Sequence, residues 1–208
     1  MAENMADFRH IPQKYPLHWR VSALSVARAM TTIGRSQDEH LMRQRTIASH
    51  FARAALGGMQ RRGIDCSSLL QQSGIQSELL SEPRARIAPE QFARLIQLVW
   101  QQMDDEYMGF GHGPSKRGTF AMMCHALIHC RSLEKALARG LLFYGLFPDA
   151  PRLSLRREGD WARLSLDDSA LRDPDHFLSE CLLVIWHRLG SWLIGQRIRL
   201  EHATFSYD

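Results

Sequence analysis

The sequence predicts an α+β fold, mainly helical, with a small antiparallel sheet formed by a hairpin and a C-terminal strand. Three observations carry that expectation. From Pro89 to Met103, the apolar residues Phe92, Leu95, Ile96, Val99, Trp100 and Met103 fall on one stripe with a period of about 3.6 residues. After Pro148 and Pro151 the period drops to two. Leu153 and Leu155 alternate with Arg152, Ser154 and Arg156, and Ala162, Leu164 and Leu166 alternate with Trp161, Arg163 and Ser165. A run that is apolar on most sides then opens at Asp173-Pro174 and extends to about Ile194, as a central helix does.

The 208 residues fit one domain with an appendage. Residues 1–40 read as a basic arm punctuated by Pro12 and Pro16, and residues 41–208 as the globular part. Residues 1–62 hold ten Lys or Arg against four acids; since the whole chain is +4, the remainder carries −2. Such an arm is either a solvated segment or a nucleic-acid contact. At 45% hydrophobic and 23% charged, the chain has the make-up of a soluble domain able to bury a core without covalent staples. Cys66, Cys124, Cys130 and Cys181 show no CxxC spacing, which fits a reducing compartment. No apolar run approaches the roughly 20 residues of a membrane span, and the first thirty residues lack the apolar stretch of a secretion signal. A soluble cytoplasmic protein is expected.

Taken in order, a short helix is expected at Val21–Met30 and a longer one over Thr46–Arg61, closed by Gly63. Asp65 or a following serine caps a short helix through Leu69 and Leu70 that ends at Gly74. A helical turn at Ser77–Ser81 stops before Pro83. Pro89 opens the striped helix, and Asp104-Asp105-Glu106 ends it, because three carboxylates oppose the negative end of the helix dipole. Met108–Pro114 is a glycine-rich loop without the GxxxxGK[ST] spacing of a phosphate cradle, so flexibility or close packing accounts for it. Helices follow over Thr119–Cys130 and Ser132–Phe147, the second capped by Ser132. The hairpin turns at Glu158-Gly159-Asp160, and Ile198–Tyr207 reads as a last strand.

Several groups invite a chemical reading. His125 and His129 lie four apart on one helix, a metal-compatible spacing with no third ligand indicated; a pocket wall or second packing face is the alternative. His176, Glu180, His187 and Ser191 form a polar stripe on an apolar helix, facing either water or a cavity. Lys116 and Arg117 precede a helix N-terminus, where cations are unfavourable without an anion; an exposed basic loop is the plainer reading. No GxSxG elbow or paired-carboxylate frame is present, and Cys124 and Cys181 fall inside helices. No enzyme and no cofactor are expected.

A distributed set of landmarks carries a resemblance. They are Gly63-Ile64-Asp65 with Leu69-Leu70, Gly74-Ile75, Ala85-Arg86-Ile87 with Glu90-Gln91-Phe92, Gly118–Cys124, Ile128-His129-Cys130, Leu133 and Ala136-Leu137. In order and residue choice, Thr46 to Tyr207 resembles the arabinose-binding-like ligand-binding and dimerisation half of AraC-type bacterial transcription regulators. The resemblance implies a homodimeric sensor of a small metabolite that controls a C-terminal pair of helix-turn-helix units. No such DNA reader is recognisable before Asp208. The expected pocket is lined by His125, His129, Tyr144, Trp161 and Trp186, with Arg117 as anion partner. Aromatic lining with one cation suits a mostly apolar effector with one acidic group. Two rival readings remain: a pure dimerisation or protein-interaction module, and direct nucleic-acid binding through residues 1–40.

Overall fold

A computed structural model describes residues 46–207. The expected arm and the helix at Val21–Met30 lie outside them. The first helix, α1 (Ser49–Gln60), starts directly from a two-residue strand, β1 (Ile47–Ala48). β1 pairs antiparallel with β2 (Arg86–Ile87), setting Ile47 opposite Ile87. Ser49 fastens the same corner, its backbone N–H donating to Ala85 O at 2.9 Å and its hydroxyl to Glu82 O at 3.3 Å. Two residues per strand are too few to show a period of two, which is why this pair escapes the sequence pattern.

Helix α2 (Ser67–Ser73) begins where Asp65 Oδ1 accepts from Ser67 N at 3.0 Å. It closes at Gly74 in the left-handed conformation (φ 71°), with Ile75 N returning to Leu70 O at 3.0 Å. A 3₁₀ turn, Ser77–Leu80, leads to β2. Helix α3 (Pro89–Met103) follows with the predicted bounds, and Gln91 Oε1 caps it by accepting from Ala88 N at 2.9 Å. These elements enclose a first core of Ala52, Ala55, Leu56, Met59, Leu95 and Val99, joined by Phe110 and by Phe177 and Leu178 from the last helix.

A second core lies between α4 (Thr119–Leu127), α5 (Leu133–Tyr144) and α6 (Phe177–Leu193). It is built on Met123, Cys124, Leu127, Ala136, Trp186 and Leu189. The hairpin of β3 (Arg152–Glu158) and β4 (Trp161–Asp167) packs Leu153 and Leu164 against it, in a register that pairs Arg152 with Asp167 and Glu158 with Trp161. Helix α6 gives its first turn to one core and its later turns to the other.

The α+β, mainly helical expectation holds, with one correction. Ile198–Tyr207 forms no strand. At its start the backbone is held by side chains of α6: Ile198 N donates to Ser191 Oγ at 3.1 Å, and Ile198 O lies 3.0 Å from His187 Nε2. For Ile198, partners from a helix stand where those of a ladder were expected. Helix ends also shift inward: α1 starts at Ser49 rather than Thr46, α4 stops at Leu127, α5 at Tyr144, and α6 starts at Phe177.

The loop between α3 and α4 joins the cores. Asp104 takes a left-handed conformation (φ 49°) and pairs with Lys116 at 2.6 Å. Asp105 is 0% exposed. Its carboxylate accepts from Tyr107 N at 2.9 Å, Gly109 N at 2.8 Å and Ser115 N at 2.8 Å. The glycine-rich segment is therefore closely packed. A Cβ on Gly58 of α1 would fall 1.8 Å from Met108 O, so helix and loop touch backbone to backbone. Removing the Asp105 carboxylate strands three donors away from water. Asp105→Ala should lower the unfolding free energy by at least about 3 kcal/mol, read from urea denaturation.

Candidate functional site

Tyr144, the last residue of α5, packs against both cores. Its ring meets the Trp186 indole edge-on, with centroids 6.2 Å apart, and Phe143 at 5.6 Å. Trp186 is 2% exposed. Gly140, one turn before Tyr144, makes this possible: a Cβ there would lie 2.8 Å from Trp186 Cη2 and 3.1 Å from Met123 Sδ. The aromatic pair thus occupies a seam between two packed units.

Polar groups collect at the same seam. Glu106 reaches the start of α4, where its two carboxylate oxygens accept from Gly118 N at 2.8 Å and Phe120 N at 2.9 Å. Burial raises its pKa above 4.5; those two N–H donors oppose the rise without cancelling it. Tyr107 and Tyr144 are both shifted upward, chiefly by burial and then by neighbours that include Glu106. The Cys124 thiol is pushed up to about 12 by burial and by Glu106. Glu106 acts on all three of the others, so Glu106, Tyr107, Cys124 and Tyr144 form one electrostatic cluster. At neutral pH the phenols and the thiol stay protonated. They can donate hydrogen bonds within an apolar wall, and the Cys124 thiolate a nucleophile needs is scarcely populated.

The structure brings Tyr144 and Trp186 together and distributes the other expected pocket residues over the surface. His125 is exposed on α4 and His129 in the turn after it, Arg117 is exposed just before the helix, and Trp161, 58% exposed, opens β4. Arg117 remains electrostatically close to the seam, because its charge acts on Glu106. Asp105, Glu106 and Tyr107 were not among the expected site residues. Their signal was the acidic triplet ahead of the glycines, which marks a helix end equally well. The expected polar stripe divides: His176, the residue before α6, lines a surface cleft, and the others hold the C-terminal segment. Glu180 accepts from Tyr207 Oη at 3.1 Å, while His187 and Ser191 hold Ile198.

This geometry, two helical cores meeting at a buried aromatic and polar seam, accompanies a family match. The model described as the arabinose-binding domain of AraC transcription regulators, N-terminal, covers residues 63–208. That class is a ligand-sensing N-terminal domain. The chain belongs to this family. No curated protein and no solved structure matches it. Among the described residues, no helix is long and apolar enough to cross a membrane.

The raised pKa of Glu106 gives a signed prediction. A carboxyl that is harder to ionise when folded adds stability below its unfolded pKa, and that contribution is lost as pH rises through the folded value. Glu106→Gln keeps one acceptor and removes the ionisation. Relative to this variant, the wild type should lose stability as pH rises out of the ordinary glutamate range and through the raised folded value, read from denaturation midpoints.

Proposed function

We propose that this domain senses a small, mostly apolar effector with one acidic group, dimerises, and passes its state to a C-terminal helix-turn-helix DNA reader. The family match over residues 63–208 carries the reading. The seam supports it physically. A ligand that contacts both cores binds some arrangements of them better than others, and that differential affinity is the only way binding can shift conformation. The proposal narrows the ligand contacts to Tyr144 and Trp186 for the apolar part and Arg117 for the acid.

Isothermal titration with amphipathic acids and their amides tests the site. The acids should bind at least about tenfold tighter, a difference of roughly 1.4 kcal/mol, and Arg117→Gln should abolish the preference. Equal binding of acid and amide would remove the charge argument.

The second reading, a dimerisation module, has its own observation. Leu142 on α5 and Leu146 just after it are each 72% exposed, four residues apart, with Phe147 beside them at 43%. Neighbouring exposed apolar side chains of this kind mark contact surfaces. Under our proposal this surface joins two copies of the chain. Sedimentation equilibrium should show a dimer whose dissociation constant rises at least about tenfold in Leu142→Glu.

A further inference from the structure

A cleft of about 420 Å³ lies on another part of the molecule, lined by Arg61, Asp168, Leu171, Arg172, Asp173, Pro174 and His176. Its backbone is tethered on two sides. Arg172 N donates to Phe110 O at 2.6 Å, and Arg61 Nη2 donates to Arg172 O at 2.8 Å. The Arg61 guanidinium also lies 4.7 Å above the centre of the Phe110 ring. The cleft is thus held open by contacts that do not depend on a ligand.

Its charges are not consumed by one another. Asp173 is 8% exposed. Its Oδ2 caps α6 by accepting from Ser179 N at 2.8 Å and from Ser179 Oγ at 3.0 Å. Its Oδ1 is buried and has no hydrogen-bond partner among the described residues, and the same holds for His176 Nδ1. His176 Nδ1 lies 3.6 Å from Asp168 Oδ2, too far for a hydrogen bond. Ser179 has one hydroxyl proton and sits closer to Asp173 than to Asp168, at 3.0 Å against 3.3 Å. Acceptor capacity on Asp168 and Asp173 therefore remains, and a buried acceptor without a donor is costly. Among the described residues no three acidic, His or Cys side chains converge as a metal set. Two exposed cations, Arg61 and Arg172, stand at the edge of the cleft.

The geometry points to a binding site for a small zwitterion, an α-amino acid, whose ammonium donates to Asp173 Oδ1 and Asp168 and whose carboxylate meets Arg172 and Arg61. The ammonium supplies the donors that the two aspartates lack. The carboxylate meets the two exposed cations that line the cleft. The apolar flanks of Leu171 and Pro174 receive the side chain. The site also touches the C-terminal segment: the His176 ring stacks on Tyr207 at 3.7 Å and 5°.

Thermal-shift and titration measurements on the full chain with each standard α-amino acid test this. At least one should bind more tightly than about 1 mM, while its matched amine and matched carboxylic acid, each lacking one charge, should bind at least about tenfold more weakly. Asp173→Asn keeps an acceptor for Ser179 and should weaken the amino acid at least about tenfold; Arg172→Ala, an exposed change, should do the same. Binding that survives both substitutions, or no amino acid binding at all, would overturn the site. Arg117→Gln should leave this binding unchanged and Asp173→Asn should leave amphipathic-acid binding unchanged, so the two sites fail separately.

Discussion

One buried carboxylate organises the link between the two cores. Asp105 is surrounded by loop backbone and accepts three N–H groups within 2.9 Å. A charge without exposure survives only when donors replace water, and here backbone amides do so. The consequence is positional. With the loop wound around Asp105, Tyr107 and Phe110 are delivered to the first core and Glu106 to the start of α4. The helix N-terminus of the second core is thereby held by a residue adjacent to the anchor of the first. Gly58 allows the loop to press on α1 at backbone distance, so the anchor is locked from outside as well.

Helix α6 is the other shared element. Its first turn fills the first core, Trp186 and Leu189 fill the second, and its polar stripe carries the C-terminal segment. A domain that senses a ligand must connect an internal event to a distant surface. Here one helix touches the aromatic seam, the polar cleft and the last described residues. Any displacement of Tyr144 against Trp186 acts on the helix that also holds Tyr207 and Ile198. Under the proposed function, the path between them is a single element, α6.

Much of the helical framework was legible because its apolar spacing is regular. The bounds of α3 follow from Pro89 and the stripe ending at Met103. The hairpin was legible because seven-residue strands show a period of two clearly. What the pattern could not show was non-local. β1 and β2 are too short to carry a period. Ile198–Tyr207 has strand-like residues, yet α6 holds Ile198 by its backbone and Tyr207 by its hydroxyl, and only the fold puts that helix alongside. For the site, Tyr144 and Trp186 were recognisable as aromatics on apolar helices, whereas the direction His125 faces depends on which side of α4 the core takes, and His129 on where that helix stops. Asp105 illustrates the limit. Three acids in a row read as a helix stop, and nothing local shows that the middle one turns inward.

Native-state hydrogen exchange of single amides tests the anchoring most directly. If Asp105 holds the loop and the cores as one body, the N–H groups of Tyr107, Gly109 and Ser115 should exchange only through global unfolding, with the same free energy as the slowest amides of α1 and α6. Fast exchange of those three amides through local opening, while the helices stay protected, would contradict it.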